Sequence, residues 1–97
     1  MGETDDLEWD DAKDAANRLK HGFPLPLGAL LFDGRERLDR LSKTQPDHEV
    51  RYETIAPYFS SVLVCVWIWR GRKRRVLSLR IANRSERRAY QEATRGS

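Results

Sequence analysis

The sequence predicts an α+β fold in which two N-terminal helices and one C-terminal helix are segregated from an antiparallel sheet of about four strands. Three observations predict it. Residues between Asp10 and Gly22, and again between Asn83 and Thr94, repeat at helical spacing. From Arg35 to Ala82 the chain alternates, or runs continuously apolar, in the manner of strands joined by turns too short for a parallel crossover. A length of 97 residues limits the chain to one domain with a modest core, here placed over 1–97 with its ordered part at about 8–93.

Taken in order, Asp10 or Asp11 is a good N-cap, Ala12, Ala15, Ala16 and Leu19 form an apolar stripe, and Gly22 offers the stop. Phe23-Pro24-Leu25-Pro26-Leu27 is expected to extend before a second short helical turn through Ala29–Phe32, ended by Gly34. Arg35 to Leu41 reads as an edge strand, and Ser42 to His48 as a polar loop. Val50 to Ala56 alternates, with Val50, Tyr52 and Thr54 on one side and Arg51, Glu53 and Ile55 on the other. Val62 to Trp69 has the composition of a central strand covered on both faces, and Gly71 sits in a basic turn leading to its hairpin partner, Arg75–Ala82. Asn83 or Ser85 then caps a last helix, Glu86 to Thr94, with Ala89, Tyr90 and Ala93 as its contact stripe.

Charged residues make up 34% of the chain and leave a small apolar core under a heavily charged exterior. The net charge of +3 hides an asymmetry: from Arg70 onward there are ten basic residues against two acids, Glu86 and Glu92. Such polarity suits a polyanion, or an acidic protein that masks the basic half; the alternative is a solvated surface with no partner. No run is long enough to span a membrane, and the acidic start lacks the basic and apolar regions of a signal peptide, so a cytoplasmic location is expected. Cys65, the only cysteine, lies inside an apolar strand and reads as a buried thiol, excluding a disulfide framework or a thiolate metal site.

The chemistry offered is that of phosphate. His21 and His48 are the only side chains with an ordinary titration near neutrality, as self-cleavage of a phosphodiester by its 2′-hydroxyl would use. His21 is favoured because a helix C-terminus stabilises its charged form; capping of the last carbonyls is the plainer explanation. Asp10, Lys13, Asn17 and Lys20 share one helix face, either as part of that site or as a cap with solvated charges. Arg80 stands mid-strand with its side chain opposite the Leu79 and Ile81 layer, and Arg51 with Glu53 is expected one or two strands away. Guanidinium groups so fixed can hold phosphate oxygens, or can form structural Arg–Glu pairs. Trp67 and Trp69 read as core, while Tyr58 and Phe59, in a turn, suit base stacking. No glycine-rich phosphate loop, clustered metal carboxylates with histidines, or specific Ser-His-Asp pattern is present.

As a set, these residues resemble the BrnT family of bacterial toxins. Trp9-Asp10, Lys13, Asn17 and Lys20-His21-Gly22 are similar to its opening signature; Glu49, Arg51, Tyr52 and Ile55 to its central segment; Ser78-x-Arg80-x-Ala82 with Arg84, Glu86, Arg87 and Tyr90 to its closing one. Departures are Pro24-Leu25-Pro26 where acidic residues are usual, Ala56-Pro57 where a glycine is common, and Asn83 for threonine. The resemblance implies a RelE-like ribonuclease toxin of a type II toxin–antitoxin module, needing no metal or cofactor. Its implied partners are the RNA substrate, a BrnA-like ribbon-helix-helix antitoxin, and operator DNA only through that antitoxin.

The reading is therefore a metal-independent endoribonuclease that inhibits translation and growth, with Arg51 and Arg80 holding the phosphate, His21 as acid or base, and Lys20, Arg84 and Arg87 binding RNA. The alternatives are a non-catalytic nucleic-acid-binding module and a pure partner-binding protein.

Overall fold

A computed structural model describes residues 1–95. Its elements are β1 (Gly2–Glu3), β2 (Leu7–Trp9), α1 (Asp11–His21), a 3-10 helix (Leu25–Phe32), β3 (Leu38–Leu41), β4 (Tyr52–Tyr58), β5 (Ser61–Arg70), β6 (Lys73–Ile81) and α2 (Arg84–Thr94). The strands form one sheet of order β1-β2-β6-β5-β4-β3. No helix among the described residues is long and apolar enough to cross a membrane.

This corrects the expected four-stranded antiparallel sheet with two N-terminal helices. Among the described residues there are six strands, the sheet is mixed, and a single α-helix precedes the 3-10 segment. The meander β3 to β6 is antiparallel throughout, but β2 lies parallel to β6, with Leu7 opposite Arg74 and Trp9 opposite Val76. Parallel pairing needs a long crossover, and everything from α1 to β5 supplies it. Strands of two and three residues carry too little alternation to show in a sequence. The proline-rich segment folds as a 3-10 helix because Pro24 ends the extended entry and Pro26 is tolerated in a first turn. Gly28 lets this helix settle on the sheet: a Cβ there would lie 3.3 Å from Cys65 Sγ.

The sheet is covered on both faces. On one, Leu63, Cys65, Trp67, Val76 and Leu79 pack with Leu7 and with Leu25 and Leu31 of the 3-10 helix. On the other, Ile55, Val64 and Ala82 pack with Leu38, Val62, Val66 and Tyr90 of α2. The expected sidedness of Tyr52 and Thr54 against Glu53 and Ile55 follows this division. Ala93 of the expected α2 stripe is exposed, as is Ile81.

Helix α1 is capped by Asp10, whose carboxylate accepts from Lys13 N–H at 2.9 Å, and ended by Gly22 at φ 80. Its orientation is the second correction. Ala12, Ala15, Ala16 and Leu19 face solvent, Leu19 being 91% exposed, and the buried residue is Asn17. The Asn17 amide donates to Phe23 O and Leu79 O, both at 2.8 Å, and its carbonyl accepts from Leu79 N–H at 3.2 Å. Asp14 accepts from Leu25 N–H at 2.7 Å. Since β2 stops opposite Val76, the outer edge of β6 is open at Leu79, and Asn17 takes the place of the missing strand. Three alanines and one leucine offer too little area to outweigh these bonds, because leaving buried backbone groups unpaired costs about 1–3 kcal/mol each.

Candidate functional site

Helix α1 and the open edge of β6 form a groove of about 280 Å³, lined by Lys13, Ala16, Asn17, Lys20 and His21 of the helix and Leu77 and Ser78 of the strand. The strand presents Leu77 and Ser78 there because the β5–β6 register shifts at Val66/Trp67, leaving Leu77 as the extra residue of a bulge. The helix presents Lys13, Asn17 and Lys20 because they recur on one face, as the spacing indicated.

His21 ends α1 at the mouth of this groove. Its imidazole titrates below the usual 6.5, first because it is partly buried, then because the positive charges of Lys20 and Arg80 oppose a third. The helix end, expected to favour the charged form, is outweighed, and the surroundings of His21 favour the neutral imidazole. The same charge coupling places Arg80 within electrostatic reach of His21.

Arg80 projects from β6 to the α2 side of the sheet, as its strand position indicated. There it holds Glu86 in a fork, with Nη1–Oε1 at 2.7 Å and Nη2–Oε2 at 2.8 Å. The pair raises the guanidinium pKa and keeps the Glu86 carboxyl below the ordinary carboxylate value. Glu86 also accepts Asn83 N–H at 2.9 Å, and Asn83 accepts Glu86 N–H at 2.8 Å, closing a capping box on α2. Beside it Arg40 pairs with buried Glu53. The Arg80 Nε–H makes no bond to a described residue and remains available. Glu86 as the partner that fixes Arg80 was not foreseen, although the Asn83-x-x-Glu86 spacing is the signal that could have found it.

Arg51 is not brought to this cluster. It lies just before β4, where its Nε donates to Glu49 at 2.8 Å. Arg80 faces Val64 and Val64 faces Ile55, so Arg51 is two strands away and four residues further along, roughly 13 Å at about 3.3 Å per residue. His48 is apart from His21 as well, beside Glu49 and Arg51. Arg84 and Arg87 stand exposed on α2, where with Arg88 and Gln91 they surround a shallow depression of about 370 Å³. None of these three arginines has a carboxylate partner among the described residues.

Burial pushes the Cys65 thiol up to about 12 and leaves it inert. Trp67 is buried, as expected, but Trp69 is 48% exposed. Phe59, in the two-residue β4–β5 turn at φ 53, is exposed with its ring edge-on to Tyr58. Among the described residues no cluster of three or more His, Cys, Asp or Glu side chains is placed to hold a metal ion.

Compared with known protein families, residues 9–86 match the model of a family described as the ribonuclease toxin BrnT of type II toxin–antitoxin systems. No curated protein matches the chain.

Proposed function

The chain belongs to the BrnT family of type II toxin–antitoxin ribonuclease toxins, and on that premise we propose that it is a metal-independent endoribonuclease whose reaction centre is the groove between α1 and β6. The observation that carries the proposal is the meeting of His21 with Lys20 and Lys13 in an open cleft, close enough to Arg80 for its charge to act on the imidazole. Neutral His21 takes the proton of a ribose 2′-hydroxyl, O2′ attacks the adjacent phosphorus, and the bond to O5′ breaks as O5′ takes a proton from water, leaving a 2′,3′-cyclic phosphate and a 5′-hydroxyl, after which His21 returns its proton to solvent. Negative charge grows on the phosphoryl oxygens, where fixed cations act most strongly. Lys20 and the free Nε–H of Arg80 supply them, and Glu86 is a positioning residue that holds the guanidinium in the plane the phosphate meets.

Arg51, remote from this centre, serves the path of the RNA and not the transferred phosphate. Arg84 and Arg87 bind the RNA backbone, and an acidic segment of a BrnA-like ribbon-helix-helix antitoxin competes for the same charges. Arg84 occupies the first turn of α2, where the helix dipole disfavours a cation. A local cost of that kind suits a residue kept for binding. Cleavage of cellular RNA would arrest translation and growth in the cytoplasm.

The test incubates purified full-length chain with end-labelled RNA in EDTA. Cleavage with cyclic-phosphate ends, abolished in His21→Ala, is the expected result. Binding without cleavage would make the chain a non-catalytic nucleic-acid module, and cleavage only with added divalent metal would overturn the metal-free mechanism.

A further inference from the structure

At the end of the sheet away from His21, β5 and β6 build a second arrangement that this reaction does not use. The rings of Phe32, Trp67 and Trp69 stand edge-to-face in series, with centroids 5.8 Å and 5.0 Å apart. The guanidinium of Arg74 lies against all three, at 4.1, 4.7 and 4.8 Å from their centroids. Cation–π contact offsets part of its desolvation, yet its buried Nε has no hydrogen-bond partner and no carboxylate pairs with it among the described residues. In this Arg74 differs from the other half-buried arginines Arg35, Arg37, Arg40, Arg51, Arg75 and Arg80, each of which has a carboxylate. Burial and the neighbouring charge of Arg37 lower its pKa, only partly opposed by the carboxylates of Asp39 and Asp6, to which it is not bonded. A directly paired anion is what this site lacks.

Trp69 extends from the same cluster into a groove of about 270 Å³, whose other residues include His48, Glu49, Val50, Tyr52 and Arg70. That is slightly less than the roughly 300–1,000 Å³ of drug-sized sites, and suits one planar heterocycle. Arg70 and Arg72, exposed in the β5–β6 turn, have no carboxylate partner among the described residues.

We propose that this groove is a single-stranded RNA subsite, in which one unpaired base stacks on Trp69 and the adjoining phosphate engages Arg74 and Arg70. Aromatic rings flanked by arginines hold single strands through base stacking and phosphate pairing. The half-exposed Trp69 ring decides between nucleic acid and an acidic peptide: the arginines would hold a phosphate or a carboxylate alike, but a planar base stacks on the open indole face. The site rests on the ribonuclease reading for its ligand, and it lengthens the RNA footprint along the sheet, past Arg51, which is bonded to Glu49.

Anisotropy with a fluorescent single-stranded 2′-O-methyl RNA, which cannot be cleaved, tests it on the full chain. Trp69→Ala should bind roughly tenfold more weakly, since stacking is worth about 1–3 kcal/mol per base, while Trp69→Phe keeps most of the affinity. Arg74→Met should reduce the salt slope of log K by about one. On cleavable RNA, Trp69→Ala should raise KM and leave kcat. If the wild type cleaves RNA and Trp69→Ala binds as the wild type does, the subsite is overturned and the nuclease reading stands; if the wild type neither binds nor cleaves, both fall. Loss of antitoxin affinity with RNA affinity intact would assign the groove to a protein partner and overturn the proposal.

Discussion

His21 illustrates how neighbours decide what a titratable residue can do. A histidine at a helix C-terminus would ordinarily gain a proton more readily, but partial burial, Lys20 and Arg80 all act in the opposite direction. A general base so tuned is active above its own pKa and loses activity as it is protonated, so the acid limb of kcat/KM should have its midpoint below 6.5. Lys20→Met removes one of the opposing charges and should move that midpoint upward, while lowering the plateau about tenfold or more through weaker phosphate stabilisation. An NMR titration of His21 in both proteins checks the shift independently of turnover. The residues of this cluster were legible in the sequence as types and spacings: Lys13, Asn17, Lys20 and His21 on one helix, Ser78 and Arg80 alternating on one strand. The sign of the histidine shift was not, because it depends on charges that only the fold brings near.

Among the elements, α1 and α2 show opposite relations between pattern and packing. The sequence marks the ends of α1 correctly through Asp10 and Gly22, yet its alanine and leucine stripe points to solvent and a buried asparagine docks it. Periodicity reports apolar area and is blind to a side chain that completes a strand edge 62 residues away. Helix α2 was legible through Asn83 and Tyr90, and its attachment rests on Glu86, which serves the cap and Arg80 at once. Because the folded protein holds the Glu86 carboxyl below its ordinary 4.5, its stabilising contribution is fully present above that value and is lost as pH falls through the lower folded one. Glu86→Gln should therefore lower the urea midpoint at pH 7 and differ less from the wild type near pH 3. Asn83→Ala should cost about 1 kcal/mol at either pH. Unfolding curves at the two pH values separate the roles, and an unchanged gap between wild type and Glu86→Gln would assign the pair no charge-dependent part.

At the scale of the whole molecule, the mixed sheet was the part hardest to read. Alternation, and in β5 a continuous apolar run, exposed the strands β3 to β6, whereas β1 and β2 are defined by pairing, β1 with β2 and β2 with β6, and not by their own composition. The uneven charge of the chain was plain from the start, and the fold distributes it: Arg75 meets Glu8 and Lys73 meets Glu3, while the α2 arginines are left open. An acidic antitoxin segment should approach that helix under electrostatic steering, with an association rate that falls steeply as salt rises. Reversal at Arg84 or Arg87 to Glu should weaken the complex tenfold or more, against little change for exposed Lys43→Glu. Surface-plasmon kinetics over a salt series checks both; equal effects at the three positions would place the antitoxin elsewhere.

The parallel pairing of β2 with β6, together with the Asn17 bridge to Leu79, also fixes when during synthesis the groove can exist. A chain emerging from the ribosome as far as Trp69 already carries the helix, the lysines and the histidine, but the strand that forms the other wall has yet to be made. Contacts of such long sequence separation close last. No product that stops short of β6 holds an assembled cleft, and the arginine-rich helix that an antitoxin would seize follows that strand directly, so cleft and antitoxin surface come into being almost together.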